Sequence, residues 1–134
     1  MNMNDKINGF TLIELVIVFS LIGILVGLGI PQYQNAARRA REAVLKEDLF
    51  QMRKLINQYY VDKKQYPSSL NGLVDEKYLR SIPVDPMTKS SETWVEIQET
   101  LDEEDIAAGR LPGIIDVFSG SKEKGTDGTF YNTW

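Results

Sequence analysis

The sequence predicts an α+β fold in which one long N-terminal helix packs, through its second half, on a small antiparallel sheet with a C-terminal loop. Three observations predict it. Phe10 to Ile30 is an apolar run broken by a single charge, Glu14. Leu45, Leu49, Met52, Ile56 and Tyr59 or Tyr60 then recur at spacings of three and four, which is one face of a helix. Downstream, Thr93–Glu99 and Ile114–Gly120 read as strands.

The apolar run comes first. As a helix its 21 residues span about 31 Å, against a bilayer hydrocarbon core of about 30 Å. A secretory signal has a shorter apolar core, of roughly 7–15 residues, and a small-residue cleavage site. Gly27-Leu28-Gly29 is a weak version of that site. A plain membrane anchor accounts for the length but not for Glu14, since a charge at mid-membrane costs about 2.5–3.5 kcal/mol. An acid in such a segment points to a dedicated partner. Gly23 and Gly27 form a GxxxG pair, which is common in membrane helices. Pro31 lacks an N–H and clashes with the carbonyl four residues back, so a kink or local melting is expected there.

The helical pattern continues from Gln32 to about Lys63, for about 80 Å in all. A free helix of that length is not compact, so its first half needs a membrane or a bundle. Tyr66-Pro67 is expected to end it. A short amphipathic helix follows near Ser69–Tyr78, then an extended turn at Ile82–Pro86 and the first strand. The segment from Thr100 to Gly113 reads as a loop or hairpin connection, with Asp102–Asp105 a solvated acidic run. The second strand leads into a glycine-rich C-terminal loop whose Phe130, Tyr131 and Trp134 can dock back on the core. The domain reading is residues 1–9 as a leader, 10–31 as the apolar helix and 32–134 as the globular part.

Composition narrows the function. The chain has 134 residues, no cysteine and no histidine. Disulfides, thiolate chemistry, the commonest general base and the commonest zinc ligand are all removed. No catalytic residue set emerges. Residues 1–64 carry a charge of +3 and residues 65–134 a charge of −7, which argues against nucleic acid as main partner.

The stretch GFTLIEL, Gly9 to Leu15, follows a short polar leader containing Lys6 and heads the apolar helix. It resembles the class III signal shared by type IV pilins and the pseudopilins of type II secretion. The resemblance implies cleavage between Gly9 and Phe10 by a prepilin peptidase and N-methylation of the new Phe10 amine. It also implies that Glu14 pairs with the Phe10 ammonium of a neighbouring subunit and sets axial register. The physics agrees, because each buried charge offsets the other's desolvation and a misplaced subunit leaves both unpaired. Arg38, Arg39 and Arg41 just beyond the span would, by the positive-inside count, put the C-terminal side in the cytoplasm. The resemblance implies the opposite orientation.

YPSSLNGLVDEKYLRSIPVDP (Tyr66 to Pro86), IIDVFSG and the terminal Trp134 are similar to the major-pseudopilin subgroup of that superfamily. Many type IV pilins close this region with a disulfide, which this chain cannot form. Membership implies a structural subunit of the inner membrane that polymerises into a periplasmic filament driving protein export. Its implied partners are other copies of itself, the prepilin peptidase, an assembly platform protein with its ATPase, and minor pseudopilins. A type IV pilin for adhesion, twitching or DNA uptake is the nearest alternative, and a membrane-anchored binding module that never polymerises is another. The resemblance further implies calcium in the last loop. Ser121, Glu123 and Asp127 are the candidate ligands, with Ser119 and Thr126 nearby. Lys122 and Lys124 flank Glu123 and oppose a cation, and Asp127 before Gly128 equally suits an Asx turn.

Overall fold

The structure, a computed structural model, describes Gly9 and residues 11–134. The chain divides into two compact units, one ending at Ala37 and one comprising Arg38–Trp134.

The first helix, α1, is Leu12–Lys63. It starts where the Thr11 hydroxyl accepts the Glu14 amide at 3.2 Å, which satisfies one of the free donors of the first turn. In the first unit the large apolar side chains from Leu12 to Ile30 are all exposed. A helix apolar on every side requires a non-aqueous neighbour. Among the described residues it is the one helix long and apolar enough to cross a membrane. The helix runs through Pro31 without a break, so the melting expected there is not present in this structure. A proline deletes one hydrogen bond from the ladder, and the residues on both sides stay helical.

The second unit is built on the apolar stripe of α1. Leu45, Leu49, Met52 and Ile56 are each at most 2% exposed. They pack with Leu70, Leu73, Trp94, Ile114, Val117 and Tyr131. Tyr59 and Tyr66 pack against this core, whereas Tyr60 lies outside it and stacks on Tyr66 at 4.4 Å between ring centroids. The helix does not wait for Pro67 to end. Lys64 takes a left-handed φ of 59°, and its amide closes on the Tyr60 carbonyl at 2.8 Å.

Helix α2, Leu70–Asp75, is shorter than the amphipathic pattern suggested. Ser69 caps it by accepting the Gly72 amide, and Leu70 and Leu73 fasten it to the core. Strands β1, Val95–Gln98, and β2, Ile114–Phe118, pair antiparallel, Val95 against Phe118 and Ile97 against Asp116. The register shifts between Ile97 and Gln98. Among the described residues this two-stranded ribbon is the whole sheet. Only β2 buries side chains, Ile114 and Val117.

The connection between the strands is more ordered than a solvated loop. It contains helix α3, Glu103–Ala107, capped by Asp102, whose carboxylate accepts the Asp105 amide at 2.8 Å. Asp105 pairs with Arg110 at 2.9 Å. Two of the four acids in that run therefore have structural tasks, because short acidic side chains suit a helix N-terminus. The chain ends in a 3-10 turn, Tyr131–Thr133. Tyr131 is buried and Trp134 packs edge-on against it, while Phe130 stays half exposed beside Lys124.

Candidate functional site

Two sets of residues carry chemistry, one at the head of each unit. At the head of the first, Gly9 is exposed and non-helical, and Phe10 lies outside the described residues. Glu14 sits in the first turn of α1 with its side chain exposed. The positive end of the helix dipole favours a carboxylate there by about 0.3–1 kcal/mol. That is a local contribution and small against the cost of burying an unpaired acid. Among the described residues Glu14 has no ion-pair partner, which leaves its carboxylate open to a cation.

The second set ties the C-terminal loop to α1. Its centre is Glu42, which sequence reasoning passed over. Glu42 is 6% exposed and lies three residues before Leu45, on the buried stripe itself. An acid at an apolar stripe position is the signal that could have found it. Its Oε1 accepts the Thr126 amide at 2.8 Å and the Tyr131 hydroxyl at 2.7 Å, and its Oε2 accepts the Thr126 hydroxyl at 2.6 Å. Arg38 completes the arrangement one turn earlier. Its Nε donates to the Tyr131 hydroxyl at 3.2 Å, and its guanidinium also reaches the Lys124 carbonyl.

Burial opposes the charge on Glu42. Hydrogen bonds from the Thr126 hydroxyl, the Tyr131 hydroxyl and the Thr126 amide outweigh it, and Arg38 adds to them. The carboxyl is held below the usual glutamate range and stays ionised. Burial, with the neighbouring Glu42 charge, pushes the Tyr131 phenol up, against the pull of Arg38. Further along α1, Arg53 makes a second tie. It donates to Asp116 at 2.7 Å, to the Val117 carbonyl at 3.0 Å and to Trp134 O at 2.6 Å.

Two of the loop residues expected to hold calcium, Ser121 and Asp127, take part in bonds within the loop, while the Glu123 carboxylate has no protein partner among the described residues. Asp127 Oδ1 accepts the Thr129 amide at 2.9 Å and the Thr129 hydroxyl at 2.6 Å, an Asx turn leading into Gly128 at φ 85°. The Thr129 hydroxyl and then its amide hold the Asp127 carboxyl below the ordinary range. Ser121 Oγ lies 3.4 Å from the Glu123 amide, Ser119 is buried against Asp85 at 2.5 Å, and Thr126 belongs to Glu42. Among the described residues no three carboxylates converge. Calcium asks for six to eight oxygens, more than the side chains of Ser121, Glu123 and Asp127 supply by themselves, so other oxygens of the loop would have to complete the set.

Comparison with known proteins agrees with the head of the chain. Residues 4–30 match the family described as the prokaryotic N-terminal methylation motif. The chain is 32% identical over 95 residues to the type II secretion system core protein G of Pseudomonas aeruginosa, covering 59% of this chain and 67% of that protein. It is 26% identical over 102 residues to the protein of the same name from Escherichia coli, covering 64% and 70%. Against the type IV major fimbrial protein FimA of Dichelobacter nodosus it is 46% identical, but over 63 residues, 47% of this chain and 40% of that protein. No solved structure matches. With an apolar helix that needs company, a methylation motif at its head and relatives of both kinds, the chain belongs to the type IV pilin and pseudopilin superfamily, as a filament subunit and not an enzyme.

Proposed function

We propose that this subunit is the major pseudopilin of a type II secretion system, polymerising into a periplasmic filament that drives protein export. The observation that carries this is the extent of kinship. Core protein G relatives align over 67% and 70% of their length, against 40% for the fimbrial protein of higher identity. The absence of cysteine supports it, since a disulfide-closed C-terminal region is a pilin feature.

In this reading the chain enters the inner membrane with its first residues in the cytoplasm. A prepilin peptidase cuts between Gly9 and Phe10, and the new Phe10 amine is methylated. Filament growth then moves an apolar helix from lipid into a bundle of like helices. Burial at about 25 cal/mol per Å2 makes that bundle the main cohesive contribution, above any surface ion pair. The Phe10 ammonium of one copy and the Glu14 carboxylate of the next select the register. The assembly platform, its ATPase and the minor pseudopilins act on this subunit from outside.

Deletion of the gene in its native host tests the reading. Loss of exoprotein secretion with motility, adhesion and DNA uptake intact supports a pseudopilin, and the reverse pattern identifies a type IV pilin. Mass spectrometry of the native protein should find a chain beginning at methylated Phe10. A mature, polymerised chain that keeps residues 1–9 would sink the register role of Glu14.

A further inference from the structure

The second unit carries two exposed surfaces of opposite character. The first is a groove of about 790 Å3 along the flank of α1 from Lys46 to Val61, closed on one side by Trp134 and Asp127. Its floor is apolar. Phe50 is 60% and Val61 59% exposed, which is a large uncovered area for side chains of that kind. Lys46 and Lys54 stand along it, Lys46 over the Trp134 ring at 4.7 Å. Among the described residues Lys54 has no carboxylate within ion-pair distance.

The second surface is the α3 arm. Arg110 holds it in shape, bridging Asp105 at 2.9 Å and both oxygens of Glu99 at 2.9 and 3.1 Å. The arm nevertheless points its remaining acids, Glu103 and Glu104, and the apolar Ile106 and Leu111 into solvent. Ile106 is 63% and Leu111 85% exposed. A well-braced arm that offers two acids and two aliphatic side chains is complementary to a groove with an apolar floor and two lysines along it, set against the single acid Asp127 at its Trp134 end. The charge asymmetry of the whole chain, +3 in residues 1–64 and −7 in residues 65–134, has the same sense.

We propose that the α3 arm of one copy docks in the α1 groove of a second copy. Ile106 and Leu111 cover Phe50 and Val61, and Glu103 and Glu104 face Lys46 and Lys54. The two patches are different surfaces of the same chain, so the contact is head-to-tail, the type that builds an open filament when the rotation between copies does not close a ring. The proposal rests on the filament reading and adds a specific lateral contact to it. Its charges govern register and partner choice more than cohesion.

The chain contains no cysteine, so introduced pairs report cleanly. Lys54→Cys and Glu104→Cys are combined in the full-length chain, assembled by its own secretion machinery and treated with a short bis-maleimide. Facing long side chains hold their backbones too far apart for a disulfide, which is why a longer linker is used. A covalent ladder of trimers and longer species is expected, at least tenfold above either single variant, since one cysteine per chain cannot link more than two copies. Filaments at normal yield with no ladder would overturn the proposal. So would an equal ladder from Lys54→Cys with Leu28→Cys, because the apolar helix would then occupy the groove. Lys54→Glu and Glu104→Lys should each cut filament yield several-fold and restore it when combined, with membrane levels of the subunit unchanged. No filament from the unmodified chain would refute the filament reading itself, an outcome distinct from filaments that form without the contact.

Discussion

Glu42 and Tyr131 stand 89 positions apart in the chain, both almost fully buried, and share a hydrogen bond of 2.7 Å. Together with Thr126 and Arg38 they fasten the last loop to the long helix. Removing the carboxylate strands the buried Tyr131 hydroxyl and frees the amide and hydroxyl of the exposed Thr126. Glu42→Ala is expected to destabilise the second unit by about 1–3 kcal/mol, the cost of one buried unsatisfied group. Tyr131→Phe removes one hydroxyl and should cost about 1 kcal/mol. Thermal unfolding of the full chain in detergent measures both, and equal melting of Glu42→Ala and wild type would refute the clamp.

The same carboxylate makes stability depend on pH in a fixed direction. Its pKa is lowered in the fold, so the unfolded chain binds its proton more tightly. The stabilisation is complete above the unfolded value, about 4.3, and is lost as pH falls through the lower folded value. Melting temperature should drop below about pH 4.5. That part of the drop should be absent in Glu42→Gln, which has no proton to gain.

Asp48 behaves in the opposite sense. Burial first, then Asp85 and Glu47, raise its pKa above the ordinary aspartate value. Its contribution is complete below the unfolded pKa and lost as pH rises through the folded one, so at neutral pH its charge weakens the fold. Asp48→Asn should raise the melting temperature at pH 7 and leave it unchanged at pH 3. The gain should stay under about 1 kcal/mol, because water screens a half-buried charge.

Bonds of Glu42, Arg38, Thr129 and Asp127 already close the last loop. Melting temperature in excess chelator and in millimolar calcium should agree within error. A calcium-dependent rise of several degrees would show that Ser121, Glu123 and Asp127 rearrange into a ligand set.

Glu14→Gln separates insertion from assembly. The amide removes the charge but keeps the shape, so membrane insertion and leader removal should proceed. Filament yield should fall at least tenfold, because the Phe10 ammonium then enters the bundle without a counter-charge. Wild-type filament levels from this variant would remove the register role.

The local rules were legible in the residues alone. The run from Phe10 to Ile30 is apolar on all sides, and nothing but lipid or other helices can satisfy it. The 45–49–52–56 stripe predicted the wall of the core, and alternation around Val95–Gln98 and the run Ile114–Phe118 located both strands, because these depend on neighbours a few positions away. The motif at Gly9–Leu15 placed the chain in its superfamily for the same reason, since a peptidase reads a contiguous segment.

What tertiary structure alone decided involves partners distant in sequence. Glu42 reads as one more acid on a charged helix until Thr126 and Tyr131 arrive from the far end of the chain to meet it. Asp127 reads equally as a metal ligand or a turn former, and the position of Thr129 shows that one of its oxygens forms the turn. Asp102 and Asp105 looked merely solvated until a short helix formed between them and Arg110 folded back. Periodicity records which side of an element is oily. It carries no information on which distant donor will reach a given carboxylate, because that is settled only when loop closure brings the two ends together.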